Sequence, residues 1–336
     1  MTTRRAFIRK VGLSGIGLGI GLSLRTPRPH PSIAELARAA RFNEPIVGVE
    51  FGTSKFCAAV SKQMVDGTIK ILGIAEANYR VENQTPKLTP VLYHLCTALK
   101  AVEEASDVII RKVHLAVLGP KSIAKSNIAL LGMLGVEAGD VAFPVIPCAT
   151  AVLSSEEKHH GALMIDLGAL QTGHIAYSNG EIKDCGSHSR GGFHVTQDLA
   201  SHLRIPWARA ESLKIENGHA FPGRSAHAEA FQKVIHLRLR AILEKTKKRL
   251  ISNGVRLREM RTGIHLTGGG SGQRGIVQLA SEVFGLPACI AGAKGFAWND
   301  GIVEHPQHSC AIGLLKLCAS GVEDIPRRRY FGLVPQ

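Results

Sequence analysis

Three stretches place carboxylates and glycines where phosphate chemistry would need them. Residues 46–53 read IVGVEFGT and continue SK, residues 161–168 read GALMIDLG and continue ALQT, and residues 266–275 read LTGGGSGQRG. In the first two an acid, Glu50 or Asp166, stands two residues before a glycine, Gly52 or Gly168, at the end of an apolar run. A glycine there lets backbone N–H groups approach a phosphate, and the acid can hold a hydrated divalent cation. The third stretch sets Gly268, Gly269 and Gly270 in succession. Glycine loses more backbone entropy on folding than any other residue, so a triplet is tolerated where a strand turns sharply or where the backbone must come close to a ligand. For the triplet alone both readings stay open.

The elements that would position these residues repeat. Residues 46–53 and 55–61 read as strands, and 68–76 as a third, with the pair Asp66-Gly67 as the hairpin signal between the last two. A helix follows over about 90–106, with Leu92, Leu95, Leu99 and Val102 on one face, and residues 114–119 read as a strand. Residues 161–168 and 174–184 then repeat the arrangement of strand, turn and returning strand. The pattern predicts an internal duplication of one hairpin.

At 336 residues and 45% hydrophobic side chains, the chain can bury a large core and is long enough for about two domains. A net charge of +14 points by itself to nucleic acid or to an anionic membrane surface. Half of it sits in residues 1–43, where Arg4, Arg5, Arg9, Lys10, Arg25, Arg28, Arg38 and Arg41 face Glu35 alone. A second basic run, residues 233–261, carries ten basic residues against Glu244 and Glu259. With Phe231, Val234, Ile235, Leu239, Ile242 and Leu243 at helical spacing it reads as an amphipathic helix with a solvated cationic face. No aromatic residues interleave its charges for base stacking, so no nucleic-acid partner is expected. Seven scattered cysteines without a CxxC pair fit buried, reduced thiols rather than a zinc site. His159 and His160, and His219 with His227, lack a partner carboxylate at ligand spacing.

The amino terminus argues differently. Arg4-Arg5 and the uncharged residues 11–24 resemble a twin-arginine export signal, with Ala37-Arg38-Ala39 as a cleavable triplet. As a helix the uncharged run spans about 21 Å, short of the ~30 Å needed to cross a bilayer. An export signal, an interfacial anchor and an extension from a misjudged start all remain open, with the ordered fold expected from about Glu44.

Two hairpins followed by an LTGGGSGxxG loop resemble the actin-like ATPase superfamily. Within it GVEFGTSKFCAAV (residues 48–60), RGGFHVTQDLA (190–200), RAESLKIENG (209–218) and SCAIGLLKL (309–317) are similar to runs of the bacterial cell-division FtsA family, in order over about residues 45–320. The resemblance implies an α/β, actin-like (ribonuclease H-like) duplicated fold, with two domains around a nucleotide cleft. Its parts would be a basic and apolar extension (1–43), domain I (44–160), domain II (161–304), a helix returning to domain I (305–320) and a tail (321–336). Carried over by position, Glu50, Gly52, Thr53, Ser54 and Lys55 would form the first phosphate loop, with Lys55 neutralising phosphate oxygens. Asp166, Gly168 and Thr172 would form the second. Glu211 and Lys214 would lie near the ribose, and Gly268, Gly269, Gly270 and Ser271 would support adenine and neighbouring phosphates. ATP and Mg2+ are the implied ligands, the metal held through water by Glu50 and Asp166.

Departures from the family pattern matter equally. The second loop reads DLGALQTGH where the pattern is DIGGGTxD, so Ala169 and Leu170 replace glycines and His174 stands in for the second acid. VAFPVIPCATAVL (residues 141–153) has no acid or amide where hydrolytic members orient the attacking water. Weak or no hydrolysis is therefore expected. Between residues 119 and 143 there is no space for the family's inserted subdomain, which makes protomer contacts, so self-association in the family's manner is not expected. The family's carboxyl-terminal membrane helix is also missing, which shifts anchoring to the basic amino terminus. The implied function is a division adaptor that joins an FtsZ-type tubulin homologue to an anionic membrane surface, peripheral on the cytoplasmic face of the inner membrane. Alternatives are a pilus-assembly actin-like adaptor and a small-molecule kinase or phosphatase of the same superfamily.

Overall fold

In the computed structural model, residues 44–79, 88–119, 121–222, 226–302 and 304–319 are described, and all lie within one unit of the chain. The readings made above for residues 1–43 and 321–336 fall outside them.

Ile46–Phe51 (β1), Lys55–Gln63 (β2) and Ile69–Asn78 (β3) run as an antiparallel meander. Lys112–Val117 (β4) then pairs parallel to β1, and Glu137–Ala142 (β5) parallel to β4. The second half repeats this. Ala162–Leu167 (β6), Thr172–Ser178 (β7) and Glu181–His188 (β8) form a meander, Ile264–Thr267 (β9) pairs parallel to β6, and Ala288–Ile290 (β10) parallel to β9. The strand orders are β11-β3-β2-β1-β4-β5 and β10-β9-β6-β7-β8, in which Phe296–Trp298 (β11) extends the first sheet at its outer edge. The expected duplication is thus present in topology as well as in motif, and the fold is the actin-like one.

Helices cover both faces of each sheet. Leu88–Ser106 (α1) turns Leu95, Leu99 and Val102 onto the outer face of the first sheet, as the spacing predicts. Lys121–Met133 (α2) is the sole helix between β4 and β5. Val145–Val152 (α3), the short Ser155–His160 (α4) with its Ser154/Glu157 capping box, Gly192–Leu203 (α5), Trp207–Asn217 (α6), Ala226–Ser252 (α7) and Ile276–Phe284 (α8) follow. Phe231, Ile235, Leu239, Ile242 and Leu243 of α7 are buried against the outer face of the second sheet together with α5 and α8. Its basic face is less solvated than expected. Arg238 holds Asp198 through two bonds of 2.5 and 2.9 Å, Lys247 donates to the Val283 carbonyl and Arg249 to that of Ser187. Those cations therefore fasten α7 to its neighbours, which the sequence alone does not show.

Ser309–Ala319 (α9) returns to the first sheet and crosses α3 between the two sheets. Small residues set the approach of α9 to both β1 and α3. A Cβ at Gly48 would come within 2.7 Å of the Ala311 carbonyl, and one at Gly313 within 1.8 Å of the Pro147 carbonyl. Backbone cannot yield as a flexible side chain can, so Gly313→Ala should lower stability by about 2 kcal/mol or more through overpacking. Gly132→Ala meets nothing within 4 Å on exposed α2 and should be neutral or stabilising by up to about 1 kcal/mol. Urea unfolding of both variants checks the contrast, and equal midpoints would contradict it.

Candidate functional site

The two β-hairpin turns face each other across a cavity of about 570 Å3, closed on its third side by the glycine turn after β9. Residues 52–54 come from the β1–β2 turn, residues 168–171 from the β6–β7 turn, and Gly268, Gly269, Gly270 and Gly272 from Gly269–Gly272 and its cap. α3 contributes Val145 and Cys148, the start of α5 contributes Gly191 to Phe193, and α6 contributes Glu211 and Lys214. Of the fourteen residues expected at a nucleotide site, thirteen line this cavity. Ser271 does not. Its side chain is buried and donates to the Gly268 carbonyl at 2.7 Å, so it braces the turn from within.

Strand ends deliver the two acids. Burial first, then the facing Asp166 carboxylate, pushes the Glu50 carboxyl up to about 7, while the Lys55 ammonium works against this. Burial likewise raises Asp166 to about 6. Glu50 Oε2 is buried with no hydrogen-bond partner. A buried carboxylate oxygen left unmatched is costly. Two such acids with raised values and an orphaned oxygen suit a hard divalent cation bound by oxygen.

The glycines are needed at different points. Gly268 has φ +79°, and a Cβ there would meet Asp166 Oδ1 at 2.2 Å. Gly270 would meet Leu167 Cβ at 2.8 Å, whereas Gly269 faces open space, with only Gln307 Oε1 at 3.9 Å. Of the two readings left open by the sequence, these contacts account for the sharp turn. The triplet turns the chain, and it packs the turn against the acid.

Several expected ligand groups have protein partners here. Lys55 Nζ lies 2.7 Å from Glu76 Oε2. The same oxygen accepts from Gln307 at 3.0 Å and faces His308 at 3.3 Å. The His308 hydrogen bond foremost, with Lys55 assisting, holds Glu76 down at about 2. Thr53 Oγ1 accepts the Leu170 N–H at 3.2 Å, joining the two hairpins directly. Thr172 Oγ1 donates to the Arg190 carbonyl. Lys214 Nζ lies 2.8 Å from both Glu211 Oε2 and Thr196 Oγ1, and Thr196 also donates to Glu211. Gly192 and Phe193 donate their N–H groups to the Gly168 and Ala169 carbonyls, so the start of α5 holds the second hairpin. Sequence reasoning missed Glu76, Gln307, His308 and Tyr79, whose hydroxyl donates to the Gly52 carbonyl. Glu76 lies on β3, Tyr79 just past its end, and Gln307 and His308 in the turn before α9, and no local motif marks them.

The hydrolytic side of the cleft is apolar, as the sequence indicates. Cys148 Sγ is 3.8 Å from Asp166 Oδ2. Against a lowering hydrogen bond with Cys310, burial and the nearby carboxylates push the Cys148 thiol up to about 12, so it stays protonated and is no base. His174 does not take the place of the second acid. Asp166 pairs with Gly173, so His174 points to the opposite face, where it is fully buried 2.9 Å from Asp184. At Gly173 a Cβ would meet Val145 Cγ1 at 2.3 Å, which leaves no space for a side chain beside Asp166. Gln171 and Gln307 are amides in the cleft, but Gln171 accepts from Ser187 and Gln307 donates to Glu76.

Comparison with known proteins agrees with the fold. A family model described as "FtsA: Cell division protein FtsA" matches residues 163–313. Cell division protein FtsA of Neisseria meningitidis serogroup B is 27% identical over 234 residues, covering 64% of this chain and 56% of that protein. The chain spans about half the length of the curated relatives it matches. Among solved structures, a PilM-PilN type IV pilus biogenesis complex aligns with TM-score 0.61 at 12% identity, over 82% of this chain and 98% of that one. MreB5 of Spiroplasma citri bound to AMPPNP aligns with TM-score 0.60 at 16% identity, over 83% and 97%. The chain is FtsA-like in sequence and actin-like in fold. Among the described residues no helix is long and apolar enough to cross a membrane.

The raised carboxyls set a sign for pH dependence. A carboxyl whose value is higher folded than unfolded binds more protons when folded, so its contribution is complete below the ordinary 4.5 and 3.8 and is lost as pH rises through about 6 to 7. Wild-type stability should therefore fall between about pH 5 and about pH 8, and Glu50→Gln should flatten that fall. Denaturant midpoints across this range test it. Parallel curves for the two proteins would mean that Glu50 is not strained by burial.

Proposed function

We propose that this FtsA-like chain is a nucleotide-binding adaptor of bacterial cell division, linking the division filament to the membrane with weak or no ATP hydrolysis. The observation that carries this reading is the Glu50–Asp166 pair, with its unmatched oxygen, set beside the Gly268 turn. The pair would hold Mg2+ through water, and the ion would offset the charge of the ATP phosphates. Lys55, fixed by Glu76, keeps a positive charge at the first hairpin, and Glu211 with Lys214 closes the far end of the cleft, where the sugar and base would lie.

Positioning of the attacking water dominates phosphoryl transfer. Val145 and a protonated Cys148 offer no group for it, and the space at Gly173 is blocked. This speaks against a small-molecule kinase or phosphatase. A single helix, α2, among the described residues between β4 and β5 speaks against self-association in the family's manner. The membrane contact we assign to Arg4, Arg5, Arg9 and Lys10 with residues 11–24, which lie outside the described residues, and the location to the cytoplasmic face of the inner membrane. Basic residues near an anionic leaflet contribute about 1 kcal/mol each.

Co-sedimentation of the full chain with filaments of an FtsZ-type tubulin homologue and with anionic vesicles tests the adaptor role. The chain should bring filaments to vesicles, and high salt should release it from lipid. Phosphate release should match a Lys55→Ala control. Turnover near about 1 per second would make the protein an enzyme, and failure to bind the filament would remove it from division.

A further inference from the structure

We propose that His114, Asp140 and Cys318 form a binding site for a divalent transition metal of the zinc type, remote from the glycine turn and independent of the nucleotide reading. One donor atom from each lies within 4.8 Å of the other two. Three separate elements supply them: β4, β5 and the last turn of α9.

The backbone departs from regularity where the site needs it. Val113 pairs with Ala138 and Leu115 with Val141, so β5 carries one extra residue opposite His114. Such a bulge re-aims a side chain, and here it brings Asp140 beside His114. Alternation along β4 puts His114 on the same face as Ala116, which packs against Cys310, Leu314 and Leu317 of α9. Cys318 follows Leu314 by one helical turn and meets the pair from that side.

The distances suit a tetrahedral ion. His114 Nδ1 and Asp140 Oδ2 are 3.3 Å apart. Two ligands at about 2.0–2.1 Å from a tetrahedral zinc are separated by about 3.3–3.4 Å, so this edge is already formed. The sulfur lies within 4.8 Å of both atoms, so a closure of about 1 Å at most brings it to its own ~2.3 Å bond. The Asp140 N–H donates to His114 Nδ1 at 3.2 Å, so that nitrogen is unprotonated and its lone pair is held by the backbone. An ion would take over its lone pair. Burial holds His114 below its ordinary value against the opposing pull of the Asp140 carboxylate. Lys112 is paired with Glu137 at 3.3 Å on the exposed side. A nitrogen, oxygen and sulfur set favours zinc over magnesium or calcium, and three protein ligands leave a fourth position for water. Gly139 fits the same picture, since a Cβ there would meet His114 Nδ1 at 2.9 Å.

Cobalt(II) reports on this site directly. The full chain, stripped with a chelator and kept reduced with a phosphine, would be titrated with Co2+ while thiolate-to-cobalt charge-transfer absorption is followed. One equivalent should bind with that band, Zn2+ should displace it, and Cys318→Ser should lose it. Asp140→Asn, an exposed change that leaves packing intact, should weaken binding by more than about tenfold. Cys289→Ser, at an exposed thiol elsewhere, should keep the band. Circular dichroism of Cys318→Ser confirms that the variant is folded. Absence of the band in the wild type, its survival in Cys318→Ser, or unchanged affinity in Asp140→Asn overturns the assignment.

Discussion

Two carboxyls held against each other in a buried cleft constrain the rest of the molecule. Glu50 and Asp166 come from equivalent strand ends of the two halves, and neither finds enough water or enough donors to ionise at its ordinary value. Neighbouring residues maintain that situation. Gly268 leaves space for the Asp166 oxygen, Lys55 is drawn to Glu76 while still lowering Glu50, and Cys148 covers Asp166 from below. Carboxyls perturbed in this way cluster at functional sites.

The duplicated sheets explain why the acids meet. Each half places its acid at the end of the strand that starts its meander, and α3 and α9 cross between the sheets at a separation set by Gly313, while Gly48 of β1 lets α9 lie close on the first sheet. The cleft opens where these central helices begin, since Pro144, Val145, Cys148, Pro306, Gln307 and Cys310 all line it. Both hairpins are tied across the cleft by the Leu170 N–H on Thr53. The same helix α9 thus bears on the cleft at one end and on the His114 and Asp140 edge at the other.

What the sequence disclosed was whatever local spacing encodes. Acid-x-Gly at the end of an apolar run located both hairpins, and helical periodicity located α1 and the apolar face of α7. Contacts between distant segments were not legible. Glu76 reads as an ordinary strand residue until Lys55, Gln307 and His308 converge on it. His174 was placed by motif counting, whereas the strand register pairs Asp166 with Gly173 and turns His174 to the other face of the sheet. The basic residues of α7 looked solvated because Asp198, Val283 and Ser187 lie far away in sequence. β5, with its bulge and weak alternation of buried residues, offered no strand signal, and its metal-ligand geometry was hidden with it.

The central claim is that the Glu50–Asp166 pair makes this cleft a site for nucleotide together with a divalent cation. Isothermal titration calorimetry of the full chain with ATP, once with magnesium and once with a chelator, tests it most directly. Magnesium should tighten binding by more than about tenfold, a difference of about 1.4 kcal/mol, and Glu50→Gln should remove most of that gain. Equal affinity with and without the metal, or no binding at millimolar ATP, would contradict the account.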